Sequence, residues 1–285
     1  MYVIIHKKTI FLILIGFFIA AICTSFSFYS IPAVHESEGI AVTVVMYHGL
    51  CSDKAYRNEY MIAPELFEED LKYLRENGYT TIFPSELIDY FDNNSPLPEK
   101  PVILTFDDGY LNNYTIAYPL LKKYGMKAVI SPIGISADEA ENEKYRNENY
   151  SQSQWKQLKE MSDSGFVEIQ NHSYNLHRIK ADVRGAAAKQ GETYDAYKKR
   201  LQDDLKLASS RIKEKVGKEP YVFVYPFGAK SNGTEEIVKE MGFSVIFDCE
   251  NRINRIRNKE DLLHLHRFIR PDRISSEDFF RDKAE

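Results

Sequence analysis

Pro101-Val102-Ile103-Leu104-Thr105-Phe106-Asp107-Asp108-Gly109 is an apolar, β-forming run that ends in two adjacent carboxylates and a glycine. It reads as a buried strand that terminates in a site. Neighbouring side chains on an extended backbone point in different directions. Asp107 and Asp108 can therefore do separate jobs, one binding a metal while the other handles a proton. Asp-Asp-Gly is also good turn chemistry, so the surrounding chain has to decide between a site and a turn.

On the N-terminal side, Ala41–Tyr47 reads as the first apolar strand, ended by His48-Gly49. A histidine there can face a pocket or simply hydrogen-bond a neighbouring loop, and the second role carries more weight. Pro64–Asn77 has a helical stripe of Leu66, Phe67, Asp70, Leu71 and Leu74, stopped by Gly78. On the C-terminal side, strands are expected at 127–133, 166–169, 221–225, 243–247 and 262–268. Helices are expected at 116–124, 152–161, 194–216 and 234–241, and charged or polar loops at 138–149 and 178–192. Strand and helix alternate about seven times. That pattern implies a parallel sheet, closed or nearly closed into a barrel, with functional groups at the carboxyl ends of the strands.

The chain has 285 residues, 44% of them hydrophobic, which suffices for an ample core. Its net charge of -5 offers no electrostatic grip on a nucleic-acid backbone. Lys7 and Lys8 precede an uncharged stretch, so residues 1–32 are expected to be a signal peptide or an N-terminal membrane anchor. Residues 33–40 are expected to be a linker, and 41–285 the catalytic domain. This places the domain on the extracellular side, anchored or secreted. Export would leave Cys51 and Cys249 in an oxidising compartment, where they could form one disulfide.

A second cluster, Asn171-His172-Ser173-Tyr174-Asn175-Leu176-His177, follows the strand at 166–169 and holds two of the seven histidines. Two imidazoles on one loop beside a carboxylate from a neighbouring strand end form a facial set with open positions. Such a set suits one divalent ion, Zn²⁺ first, with Co²⁺, Fe²⁺ or Ni²⁺ as alternatives.

The Thr105-Phe106-Asp107-Asp108-Gly109 strand end and the His172…His177 pair resemble the polysaccharide deacetylase family (NodB-homology domain, carbohydrate esterase family 4). The five-residue histidine spacing and Met46-Tyr47-His48-Gly49 are closest in style to the branch acting on poly-β-1,6-N-acetylglucosamine. The resemblance implies a distorted (β/α)7 barrel, with Asp107 as catalytic base and Asp108, His172 and His177 as metal ligands. It implies the backbone N–H of Phe227 as oxyanion donor, in the motif Tyr225-Pro226-Phe227-Gly228. Tyr225, Pro226 and Tyr174 are expected to contact substrate. The family places an arginine before that motif's proline, where this chain carries Val224; Arg267 is the candidate to take over its work. The family's late histidine, a general acid, maps to His264 on Leu263-His264, with His266 as the alternative.

The implied reaction is hydrolysis of N-acetyl groups on an extracellular polysaccharide containing N-acetylglucosamine, with release of acetate. An O-acetyl esterase of cell-wall glycan and a catalytically silent glycan-binding protein are the alternatives. Expected partners are the acetylated polysaccharide and, through an uncleaved N-terminus, the membrane. Neither nucleic acid nor an obligate protein partner is indicated.

Overall fold

The seven parallel segments that form the ring are β1 (Ile40–Tyr47), β2 (Pro101–Asp108), β3 (Ala128–Pro132), β4 (Val167–Ile169), β5 (Val222–Val224), β6 (Val245–Phe247) and β7 (Phe268–Ile269). The computed structural model describes residues 39–281 except Ala181, together with Lys283. The expected leader or anchor at 1–32 and nearly all of the expected linker lie outside the described residues. Among the described residues, no helix is long and apolar enough to cross a membrane.

β1 pairs with β2, β2 with β3 and β3 with β4, all parallel. Beyond β4 the ladder thins to a single parallel bridge, Asn171 to Phe223, which brings in β5; β5 then pairs with β6. A second single bridge, Phe247 to Leu265, leads into the segment that ends in β7, and β7 returns to β1 at Val45–Phe268. The ring closes as a distorted (β/α)7 barrel. Part of the distortion lies along β1: its second half pairs with β7, and its first half pairs antiparallel with Asn254–Ile256.

Side-chain alternation sorts the core into two layers. Ile103 of β2 clusters with Val44, Val129, Val224, Val245 and Phe247 inside the ring. Val102, Leu104 and Phe106 face outward, onto Phe67, Leu71 and Leu74 of α1 (Pro64–Glu76) and onto Trp155, Leu158 and Met161. Asp107 follows the inward set, at the carboxyl end of the barrel. After α1 come α2 (Pro84–Asn93), α3 (Tyr118–Tyr124), α4 (Gly134–Ala140), α5 (Trp155–Asp163), α6 (Tyr194–Val216), α7 (Thr234–Glu240) and α8 (Ser276–Arg281).

Several elements differ from the sequence expectation. The strand expected at 262–268 is instead a 3-10 helix, Lys259–His264, followed by an extended segment. Asn258 caps that helix by accepting from Glu260 N at 2.8 Å, and Asp261 accepts from Arg257 N at 2.7 Å. Leu262 and Leu263, adjacent in sequence, are buried in different clusters, which a helical turn permits. The loop expected from 138 begins inside α4. Asp138 accepts from Trp155 Nε1 (2.7 Å), Tyr174 Oη (3.0 Å) and Arg211 Nε (3.1 Å), and so ties three segments together. The helix expected from 152 starts at Trp155, where Gln157 anchors the helix start by accepting from Gln154 N at 2.9 Å. The expected loop at 178–192 holds a small hairpin, Ile179–Lys180 with Val183–Arg184.

A buried ion pair closes the fold at its C-terminal end. Arg270 donates from Nε and Nη2 to both oxygens of Asp70 at 2.8 and 2.9 Å. Tyr47 Oη and Ser276 Oγ complete the shell around the Asp70 carboxylate at 2.9 and 2.7 Å. Both charged side chains are fully buried. Removing one partner strands the other charge in the core, at a cost of about 3–5 kcal/mol. Arg270→Met is expected to lower unfolding stability by about that amount, and adding Asp70→Leu to recover much of it. Chemical denaturation of the single and double variants measures this, and a single variant as stable as wild type would contradict it.

Candidate metal centre and active site

β2 ends in a change of backbone direction. Asp108 sits at φ 69° and Gly109 at φ 77°. A Cβ on Gly109 would lie 2.7 Å from Pro132 Cβ, so only glycine fits there. The next turn is braced by the segment before α5: Ser153 N donates to Gly109 O at 2.8 Å, and Leu111 N to Ser151 O at 2.7 Å.

The histidine loop is built as carefully from polar contacts. Asn171 Oδ1 accepts from Ser173 N at 2.7 Å, and Asn171 Nδ2 donates to Leu205 O on α6. Asp204, also on α6, accepts from Tyr174 N and Asn175 N at 2.8 and 2.9 Å. Ser173 takes φ 68°. These contacts fold the loop back on itself, so that His177 returns beside His172. Their ring centres are 5.1 Å apart.

His172 Nδ1 lies 2.9 Å from Val224 O. A carbonyl can only accept, so Nδ1 carries the proton and Nε2 presents a free lone pair. His172 Nε2 and His177 Nε2 lie 3.5 and 3.3 Å from the same atom, Asp108 Oδ1. That oxygen is buried with no hydrogen-bond partner among the described residues. Burial pushes His172 down to about 3 and also lowers His177, so both rings are neutral donors near pH 7. Burial likewise raises Asp108, to about 6. Three converging lone pairs, one on an orphaned buried oxygen, fit a divalent cation.

Asp107 has a different neighbour. Arg267 Nη1 and Nη2 donate to its two oxygens at 2.7 and 2.8 Å, and both side chains are buried. Arg267 is itself held by Asp248 O on Nε (2.8 Å) and by Thr105 Oγ1 on Nη1 (3.1 Å). Burial works to raise the Asp107 acid, but the Arg267 guanidinium and the site's histidines outweigh it and hold the carboxyl well below the usual range. Val224 is small and packs in the barrel core. The arginine expected at its position arrives from the C-terminal strand instead.

These groups share one cavity of about 630 Å³, lined also by His48, Tyr60, Tyr110, Arg184, Phe227 and Cys249. Phe227, at φ 59°, lies with its ring 4.1 Å from that of His177. His48 Nδ1 is buried without a hydrogen-bond partner among the described residues, and its ring stands edge-on to Tyr60 at 4.9 Å. The sequence offered His48 as a pocket or loop residue, and it lines the cavity.

Other expected site residues lie elsewhere. His264 ends the 3-10 helix, half exposed, 3.2 Å from Glu235. His266 is turned to Asp248, 2.9 Å from Oδ2. Neither lines the cavity, because the segment that would have placed them on one strand face is not a continuous strand. Tyr225 is buried against Phe223 and Pro226 is buried beneath the turn, while Tyr174 bonds Asp138; none of the three lines the cavity. Cys51 and Cys249 are free thiols. Cys51 faces Asn149 at 3.1 Å, and Cys249 faces Met46 and Arg267. Asp204 and Asn171, which shape the histidine loop, carried no sequence signal beyond their polarity.

A sequence profile described as polysaccharide deacetylase matches residues 94–246, more than half of the chain. The chain belongs to the polysaccharide deacetylase family. The poly-beta-1,6-N-acetyl-D-glucosamine N-deacetylase of Escherichia coli K12 is 28% identical over 225 residues, covering 73% of this chain and 34% of that protein. Its Staphylococcus aureus N315 namesake is 24% identical over 201 residues, 70% of this chain and 65% of that protein. The chain thus spans about a third of the length of the E. coli relative. Among solved structures, a de-N-acetylase from Aggregatibacter actinomycetemcomitans superposes with TM-score 0.69 at 29% identity, covering 84% of this chain and 96% of that one. IcaB from Ammonifex degensii superposes with TM-score 0.66 at 26% identity, covering 86% and 97%.

For this family member, the raised Asp108 acid has a measurable consequence. In the metal-free protein Asp108 is protonated below about pH 6, so a cation must displace that proton. Affinity for Co²⁺ or Zn²⁺ is expected to fall about tenfold per pH unit below 6 and to level off above it. Metal titrations at pH 5, 6 and 7 test this, and affinities that do not change with pH would count against it.

Proposed function

We propose that this chain is a metal-dependent N-deacetylase acting on an extracellular polysaccharide that contains N-acetylglucosamine, with release of acetate. The observation that carries this reading is the pairing of two centres in one cavity. A buried carboxylate clamped by Arg267 sits next in sequence to the carboxylate of an Asp-His-His ligand set. A glycan-binding protein has no use for both.

A divalent ion held by Asp108, His172 and His177 would supply Lewis acidity, lowering the pKa of a water and polarising the acetyl carbonyl. Asp107, kept ionised by Arg267, accepts the attacking water's proton. Its clamp fixes both oxygens, so the carboxylate needs no reorganisation during the step. The Phe227 N–H donates to the oxyanion that develops on the former carbonyl, in a turn fixed by Pro226 and Gly228. His48 replaces His264 as the proton donor to the departing amine nitrogen: it lines the cavity, and His264 does not. The amine leaves with that proton, the carbonyl re-forms and acetate is released.

Zn²⁺-loaded full chain is expected to release acetate from N-acetylglucosamine oligomers. Asp107→Asn and His48→Ala should each lose at least about 100-fold in kcat while retaining the metal, and His264→Ala should keep wild-type turnover. Because Asp107 ionises far below neutrality, activity at limiting Zn²⁺ should decline on the acid side as Asp108 takes up a proton and metal loading falls, and not with the base. No acetate from any N-acetylated glycan with the metal bound would end the deacetylase reading, and an inactive His264→Ala would assign the proton donor to His264.

A further inference from the structure

Arg184 lies on the wall of the catalytic cavity, in the pairing of Ile179–Lys180 with Val183–Arg184, and the chemistry above gives it no task. Gly185 anchors the end of the hairpin. Gly185, at φ 55°, packs so closely on the Phe227 turn that a Cβ there would lie 2.3 Å from Pro226 O. Gly185 N donates to Arg178 O at 3.1 Å, and Gln190 N to Asp182 O at 3.1 Å. The Arg184 guanidinium carbon stands 5.5 Å over the ring of Phe227, which in turn lies against the metal-set imidazole of His177. One aromatic layer thus separates this cation from the reaction centre.

The arginines that hold the fold together are occupied: Arg267 by Asp107, Arg270 by Asp70 and Arg200 by Glu192. Arg184 is exposed, and among the described residues no carboxylate lies within ion-pair distance of it. Among the described residues it is the one Arg or Lys side chain on the cavity wall. The other charge on the rim, Glu59, makes no ion pair with it and belongs to the 51–61 loop beside Tyr60. Across the hairpin, Ile179 is 67% exposed, lines the same cavity and supplies an apolar surface for a sugar face. A planar, permanently charged fork held on an aromatic ring is suited to bidentate capture of an oxyanion.

We propose that Arg184 is a specificity-determining residue that binds a carboxylate carried by the glycan near the N-acetyl group under attack, so that acidic N-acetylated glycans are favoured over neutral ones. This deepens the deacetylase reading and rests on it for the placement of the sugar.

Two tetrasaccharides test it: N-acetylglucosamine alone, and N-acetylglucosamine alternating with its carboxylate-bearing lactyl ether. Binding is measured calorimetrically with the Zn²⁺-loaded full chain in an Asp107→Asn background, which slows turnover at least about 100-fold. At low ionic strength the carboxylated probe should bind about five- to tenfold tighter than the neutral one. Arg184→Gln should erase that preference while changing neutral binding by less than about twofold. Arg184→Lys should restore part of it, and 0.5 M salt should shrink it. Equal affinities for the two probes, or an equal loss for both in Arg184→Gln, would overturn the inference. Acetate release by the Asp107-containing chain is scored separately. A charge preference without acetate from either probe would sink the deacetylase reading and leave the anion site standing. Acetate from both probes without a charge preference would do the reverse.

Discussion

The bidentate contact between Arg267 and Asp107 is the interaction on which the rest of the site depends. It joins the end of β2 to the segment that closes the barrel, 160 residues later in the chain. A carboxylate buried to this degree would ordinarily take up a proton. The guanidinium reverses that preference and fixes the orientation of both oxygens. Asp108, one residue on and without such a partner, goes the other way and becomes hard to ionise until a cation arrives. Two neighbouring carboxylates thus acquire opposite acid strengths: burial and the charge of Asp107 raise Asp108, while the direct Arg267 clamp overcomes the same burial at Asp107.

The metal set depends on a second constraint, in the backbone. Four non-glycine residues among those described have positive φ, and three of them, Asp108, Ser173 and Phe227, lie in or beside the centre. Each conformation is sparsely populated and is maintained by its surroundings. Pro132 crowds the glycine after Asp108, Asn171 and Asp204 hold the loop at Ser173, and Gly185 and Cys249 flank the turn at Phe227. Helix α6 therefore shapes the histidine loop although none of its described side chains lines the cavity.

Much of this was legible in the sequence. The apolar run into Asp107-Asp108, the span of α6 and the Asp-His-His set follow from period and residue type, which are local properties. Arg267 could be named only as a candidate, because the register that points it at Asp107 depends on how β7 pairs with β1. The strand assigned to 262–268 failed where two local signals competed. Alternation in Leu263-His264-Leu265-His266 suggested a strand, but Asn258 and Asp261 impose a capped turn that turns His264 out to solvent. The sequence left His48 between pocket and loop, because its buried, unpartnered Nδ1 is a property of the closed barrel. The closure itself passes through single bridges at Asn171 and Leu265, which leave almost no hydrophobic pattern to read.

The order of parts along the chain has its own consequence. Asp107 and Asp108 lie in the first half of the polypeptide, both histidine ligands follow by residue 177, and Arg267 comes close to the C-terminal end. Any process that delivers the chain from its N-terminus, synthesis or threading through a translocation channel, presents the ligand set before the group that tunes the neighbouring carboxylate. The same late segment carries Arg270, whose pairing with Asp70 locks β7 against α1. The contact that closes the barrel and the contact that sets the acid strength of Asp107 are thus carried by one short segment.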